Sequence, residues 1–182
     1  FVALPLYVLW PHHMAATYAV PLASLGALLL AMRLLDALVD PFLGRWVDRA
    51  LRNIFLIKHG IWRLMVLPGV LLFLGFWALF FPVVKGSEGA VLAWAAVSLG
   101  LTYIAFSWLS VAHQAWGARL GGTDTQRSRV VAWREGFGLG GVLLASVLPT
   151  LAGLPALVAA QGLALALGLW LWSMSPAPAW PD

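Results

Sequence analysis

Residues 22–49 read LASLGALLLAMRLLDALVDPFLGRWVDR, and three features of this stretch set the rest of the reading. It opens with a run of apolar residues long enough to cross a bilayer, which takes about 20 residues as a helix. It carries Arg33, Asp36 and Asp40 inside that run. It closes on a basic segment that opens with Gly44, Arg45, Asp48 and Arg49. A charge at mid-membrane costs about 2.5–3.5 kcal/mol on insertion scales, so ionisable residues there face a water-filled cavity or a partner. Arg33, Asp36 and Asp40 stand at i, i+3 and i+7, on one stripe of a helix. Two carboxylates that close in a low dielectric do not both stay charged without a cation or a proton. Plainer readings stand beside this one: Asp40 pairing with Arg45 at the interface, and Arg33 neutralising Asp36 as a structural pair.

The remainder of the 182 residues has the same character, with 62% hydrophobic residues, 10% charged residues and 11 Trp. Mean hydropathy is +0.90. A soluble domain carries about 45–50% apolar and about 25% charged residues, so the solvent of this chain is lipid. The absence of cysteine removes thiol catalysis, thiolate metal sites and disulfide stapling. Lys, Arg, Asp and Glu are missing from 1–32, 64–84, 89–118 and 136–181. Breaks fall near Pro11-His12-His13, at Pro21, and at Gly153 and Pro155. The expected fold is an all-α membrane protein with six transmembrane helices, over about 1–15, 22–44, 62–83, 90–113, 131–152 and 155–174. No period-two alternation suggests a barrel. The chain begins at Phe1 inside an apolar run and ends at Asp182; both read as cut edges of a longer chain, with no signal-peptide pattern.

The basic residues alternate between loops. Arg45, Arg49, Arg52, Lys58 and Arg63 flank the loop after the second helix; Arg119, Arg127, Arg129 and Arg134 flank the loop after the fourth. Positive loops stay cytoplasmic, so both ends are expected on the cytoplasmic side, in a plasma membrane of bacterial type. This accounts for a pI near 10.1 without nucleic acid as a partner.

Other signals are weaker. His113 and Gln114, near the end of the fourth helix, suit a polar solute, against the alternative of an interfacial histidine. Arg134 with Glu135 suits a cavity or a snorkelling pair. His12 and His13 point to different sides of a helix and read as an external loop. Gly136 and Gly140 form a small-residue face for close helix packing. Trp10, Trp94, Trp133, Trp170 and Trp172 read as an interfacial belt. Neither an ATP-binding sequence nor a hydrolase or zinc motif is present, so no enzyme is expected.

Arg33 to Arg49, R-L-L-D-A-L-V-D-P-F-L-G-R-W-V-D-R, resembles the second-helix signature of the sugar–cation symporters related to melibiose permease, a branch of the major facilitator superfamily. Gly44 to Arg49 is similar to the short cytoplasmic loop of that superfamily. Ala112 to Arg129, A-H-Q-A-W-G-A-R-L-G-G-T-D-T-Q-R-S-R, and Val131 to Gly136, V-A-W-R-E-G, resemble its fourth and fifth helices. The resemblance implies the N-terminal six-helix half of a two-half bundle that works by alternating access. It also implies a cation site at Asp36 and Asp40, and a substrate cavity near Arg33, His113, Gln114 and Arg134. Gly44, Arg45, Asp48 and Arg49 would form a cytoplasmic gate. The coupling ion would be H⁺ or Na⁺, with no other cofactor, and the partners would be the lipid bilayer, a small polar solute and a C-terminal half or second copy. In the sugar permeases the fourth helix adds a carboxylate; Ser110 stands near that place, and residues 90–120 hold no acid. The rival expectation is a non-transporting scaffold that reuses the fold.

Overall fold

The computed structural model describes residues 1–55, 61–84, 86–118 and 123–175, whose regular structure is helical with no strand among them. A π-helical turn, Pro5–Leu9, runs into α1 (Trp10–Tyr18); α2 (Leu22–Phe55), α3 (Ile61–Phe80), α4 (Glu88–Ala118) and α5 (Asp124–Ser173) follow. Among the described residues three helices are long and apolar enough to cross a membrane: Leu22–Arg49 of α2, Glu88–Ala118 and Asp124–Ser173. Met65–Phe80 is a shorter apolar helix. Of the basic residues used to orient the chain, Lys58 and Arg119 lie outside the described residues.

Two expected loops are helical. The break placed at Pro11-His12-His13 is absent, because the turn before Pro11 widens: the Trp10 N–H bonds to the Pro5 carbonyl. A π turn accommodates a residue with no N–H to return. The helix ends instead at Ala19, at φ 53° and ψ 28°, the left-handed conformation that commonly closes a helix. Gly44, Arg45, Asp48 and Arg49 also belong to a helix, since α2 continues to Phe55. Leu43 and Val47, one turn apart, are buried there. Val47 packs with Met65 and Ala112 in a small cluster with Trp108 and Trp172 at its edge, and that contact holds the helix past the expected end. At the other extreme, α5 starts with a reciprocal cap between Thr123 and Gln126 and breaks at Gly153, at φ 79° and ψ 174°.

Helix α4 is the centre, packed against α2 and α3, and α3 also packs on α5. Ser24 Oγ donates to Glu88 Oε1 at 3.2 Å, so α2 and α4 start at the same end. That end also holds the finish of α3, whose last four carbonyls each have a donor. The Phe81 N–H bonds to Trp77 O at 3.0 Å, Trp94 Nε1 to Ala78 O at 2.9 Å, and Trp10 Nε1 to Leu79 O at 3.0 Å. His13 Nε2 reaches Phe80 O at 3.2 Å; with the proton on Nε2, Nδ1 accepts from Thr17 Oγ1 at 3.2 Å. A helix leaves its last four carbonyls unpaired, and hydrocarbon offers no water to fill them. Trp10, fully buried, and His13 are thus a helix cap from α1. This corrects their reading as an interfacial belt and an external loop.

Lipid is as apolar as the helices, so close packing carries their association. A Cβ on Gly75 of α3 would lie 2.6 Å from Thr102 Oγ1 and 3.1 Å from Thr102 N of α4; one on Gly162 would lie 2.7 Å from Phe73. The expected packing face at Gly136 and Gly140 is not engaged: a Cβ added at either would meet nothing within 4 Å, and residues 123–139 are exposed. Of that glycine run Gly141 alone meets a neighbour, at Phe1.

Removing the Trp10 donor strands the Leu79 carbonyl, at a cost of about 1–3 kcal/mol. Trp10→Phe is therefore expected to lower stability in a detergent unfolding titration, while Trp133→Phe, at a residue 65% exposed, leaves it unchanged. In the same titration Gly75→Ala overpacks the α3–α4 contact and costs about 1–3 kcal/mol, whereas Gly136→Ala is neutral or stabilising.

Candidate functional site

Two polar stripes face each other near the middle of the bundle. On α2 the stripe is Arg33, Asp36 and Asp40. On α4 it is Tyr103, Ser107, Ser110 and Gln114, at i, i+4, i+7 and i+11, which also lie on one face of a helix. Tyr7, in the π turn before α1, joins them. Together these residues line a cavity of about 480 Å³ between the first helix, α2 and α4, with Leu6, Phe106 and Val111 among its apolar walls.

The two stripes are tied by hydrogen bonds. Ser107 Oγ donates to Asp36 Oδ1 at 3.0 Å, and Asp40 lines the same cavity one turn further along α2. Arg33 Nη1 donates to Tyr7 Oη at 2.7 Å, with the guanidinium 5.6 Å from the Tyr7 ring centre. Tyr103 Oη donates to Tyr7 Oη at 3.1 Å. A phenol oxygen has two lone pairs, and Arg33 and Tyr103 occupy both on Tyr7. The Tyr7 O–H therefore remains to donate into the cavity. With both carboxylates ionised, the ionisable side chains of the wall carry two negative charges against one positive. A cation or a proton restores balance.

The alternatives for these charges resolve differently. Among the described residues Arg33 bonds to Tyr7 and forms no ion pair with Asp36. Arg45 lies over the Phe42 ring, 4.7 Å from its centre, and no ion pair joins it to Asp40.

The expected substrate residues divide between two places. Arg33 and Gln114 line the cavity with the aspartates. His113 and Arg134 line a second space, of about 720 Å³, between α3, α4 and α5. There Arg134 pairs with its neighbour Glu135, Nη2 to Oε1 at 2.8 Å. His113 meets Trp172 edge-on at 5.4 Å. Gly44, Arg45, Asp48 and Arg49 lie on the extension of α2 beyond Asp40, outside both spaces. Tyr7, Tyr103 and Ser107 were not singled out from the sequence. The spacing of Tyr103, Ser107, Ser110 and Gln114 was the available signal; Tyr7 has none, because only the packing of its helix brings it to Arg33.

Apolar helices that enclose a charged, hydrogen-bonded cavity fit an integral membrane protein. The profile of the MFS/sugar transport protein family matches residues 2–172, and the chain belongs to that family. No curated protein and no solved structure matches it.

Because the chain has no native cysteine, single cysteines report on water access. Ala37→Cys and Ser110→Cys, on the wall of the polar cavity, are expected to react with a charged, water-soluble thiol reagent in membrane vesicles. Leu167→Cys, on the uncovered flank of α5, is not. Equal labelling of all three would show that the cavity holds no distinct body of water.

Proposed function

We propose that the protein is a cation-coupled symporter, using H⁺ or Na⁺ to move a sugar-like or other small polar solute by alternating access. The observation that carries this reading is the Asp36–Ser107 bond at the wall of a cavity that Asp40 also lines. Two carboxylates and a hydroxyl provide oxygen ligands for a hard cation, and either a cation or a proton offsets the negative charge of the pair. Ser107 orients one Asp36 oxygen and leaves the other for the ion.

The solute reading follows from the donors. The Tyr7 O–H, the Arg33 guanidinium and the Gln114 amide offer hydrogen bonds to oxygen acceptors, and the Tyr7 and Tyr103 rings, 6.4 Å apart and inclined by 39°, give aromatic faces to pack against. Hydroxyl-rich molecules have both an acceptor-studded edge and an apolar face. Coupling arises because bound cation relieves the repulsion between Asp36 and Asp40 on the stripe that also carries Arg33. We assign six spans to this unit, counting the first helix and the two limbs of α5 about Gly153, with both ends cytoplasmic. A second half, from the rest of a longer chain or from another copy, closes the pathway.

Asp36→Asn and Asp40→Asn are expected to abolish gradient-driven uptake in vesicles while expression stays near normal. A hydrogen bond to a charged group is worth about 1.5–3 kcal/mol, so Ser107→Ala should raise the cation concentration for half-maximal uptake about tenfold or more. Accumulation that survives both Asn variants would rule out coupling at this pair. If instead the unaltered protein accumulates no solute and neither Na⁺ nor pH moves its melting temperature, the scaffold alternative takes the place of transport.

A further inference from the structure

The second space, between α3, α4 and α5, contains a buried amide that the transport reading does not use. Gln161 of α5 is 1% exposed, lines this space, and among the described residues neither its Oε1 nor its Nε2 has a hydrogen-bond partner. The buried Nε1 of Trp172, on the same wall, also lacks one. Buried polar side chains are nearly always satisfied, and the exceptions call for an explanation. In a membrane the demand is sharper, because no bulk solvent reaches the group.

We propose that this space is a second ligand site, taking a mostly apolar molecule that ends in one neutral group able both to donate and to accept hydrogen bonds. A hydroxyl or a primary carboxamide has that character. Gln161 presents one acceptor and one donor side by side, and Trp172 Nε1 adds a second donor. Most of the wall is apolar, with Leu72, Leu109, Leu165 and Leu169 among its residues. Among the described side chains of the wall the charge is that of Arg134, which pairs with Glu135 at 2.8 Å, so the site favours a neutral molecule. Phe106 and Ser110 line this space and the Asp36 cavity alike. An occupant therefore presses on the α4 segment that carries Ser107.

The test uses the full-length protein in lipid nanodiscs and a diazirine-bearing octan-1-ol as photoprobe, with adducts located by peptide mass spectrometry. Adducts are expected to concentrate on the peptides carrying Trp116 and Trp172. Octan-1-ol and octanamide should displace them, and n-octane should not. Gln161→Leu should reduce them about tenfold without loss of melting temperature, since it replaces an unsatisfied amide by an apolar side chain of similar size. If that variant does not fold, Trp172→Phe, which removes one donor and keeps the ring, should still reduce the yield. Labelling that saturates with probe in the aqueous phase identifies a water-borne ligand. Labelling that follows the probe's mole fraction in the lipid identifies a membrane-borne one. Adducts spread evenly over the uncovered helix faces, or indifferent to both substitutions, would overturn the proposal. None of these readouts depends on cation coupling, so the two proposals fail separately.

Discussion

Every backbone carbonyl within hydrocarbon needs a donor, and this requirement shapes the molecule at the end of α3. A helix that stops inside or near the membrane leaves four acceptors exposed. Here the donors are one backbone N–H and the side chains of Trp94, Trp10 and His13. Trp10 and His13 come from the first helix and Trp94 from α4, so the cap also fixes where both helices stand against α3. The Tyr7 hydroxyl precedes Trp10 by about one turn on that first helix. Its position against Arg33 and Tyr103 therefore depends on a hydrogen-bonding requirement met at the far edge of the bundle.

With the first helix and α4 positioned, the polar cavity follows from periodicity. Arg33, Asp36 and Asp40 share one face of α2, and Tyr103, Ser107, Ser110 and Gln114 share one face of α4. Neither stripe is tolerable against lipid. Facing each other, they exchange the Ser107–Asp36 bond and, through Tyr7, the Arg33–Tyr103 connection. Close approach of α3 and α4 at Gly75 keeps α4 seated behind this arrangement. The cavity thus rests on ordinary packing: small residues where helices touch, and polar residues where they face one another.

Much of this was legible in the sequence because composition and spacing act locally. The missing charges over 64–84, 89–118 and 136–181 mark apolar helices, and i, i+3, i+7 spacing puts Arg33, Asp36 and Asp40 on one stripe whatever the rest of the chain does. The turn residue Gly153 was legible too, since a left-handed conformation favours glycine. Other features needed neighbours. Gly44 to Arg49 has the composition of a loop and yet is helical, because Val47 finds Met65 and Ala112 to pack against. His13 has the composition of a surface residue and serves as a cap, because the end of α3 arrives beside it.

The sequence by itself determined the solvent of this protein, the helical class and the acidic stripe, since each depends on residues within a few turns of one another. Tertiary structure decided which stripe meets which, and it separated Gln114 from His113. Adjacent residues on a helix point about 100° apart, so one joins the Asp36 cavity and the other the Gln161 space. That division depends on how α3 and α5 sit around α4. Such contacts join residues far apart in the chain, and local spacing does not encode them.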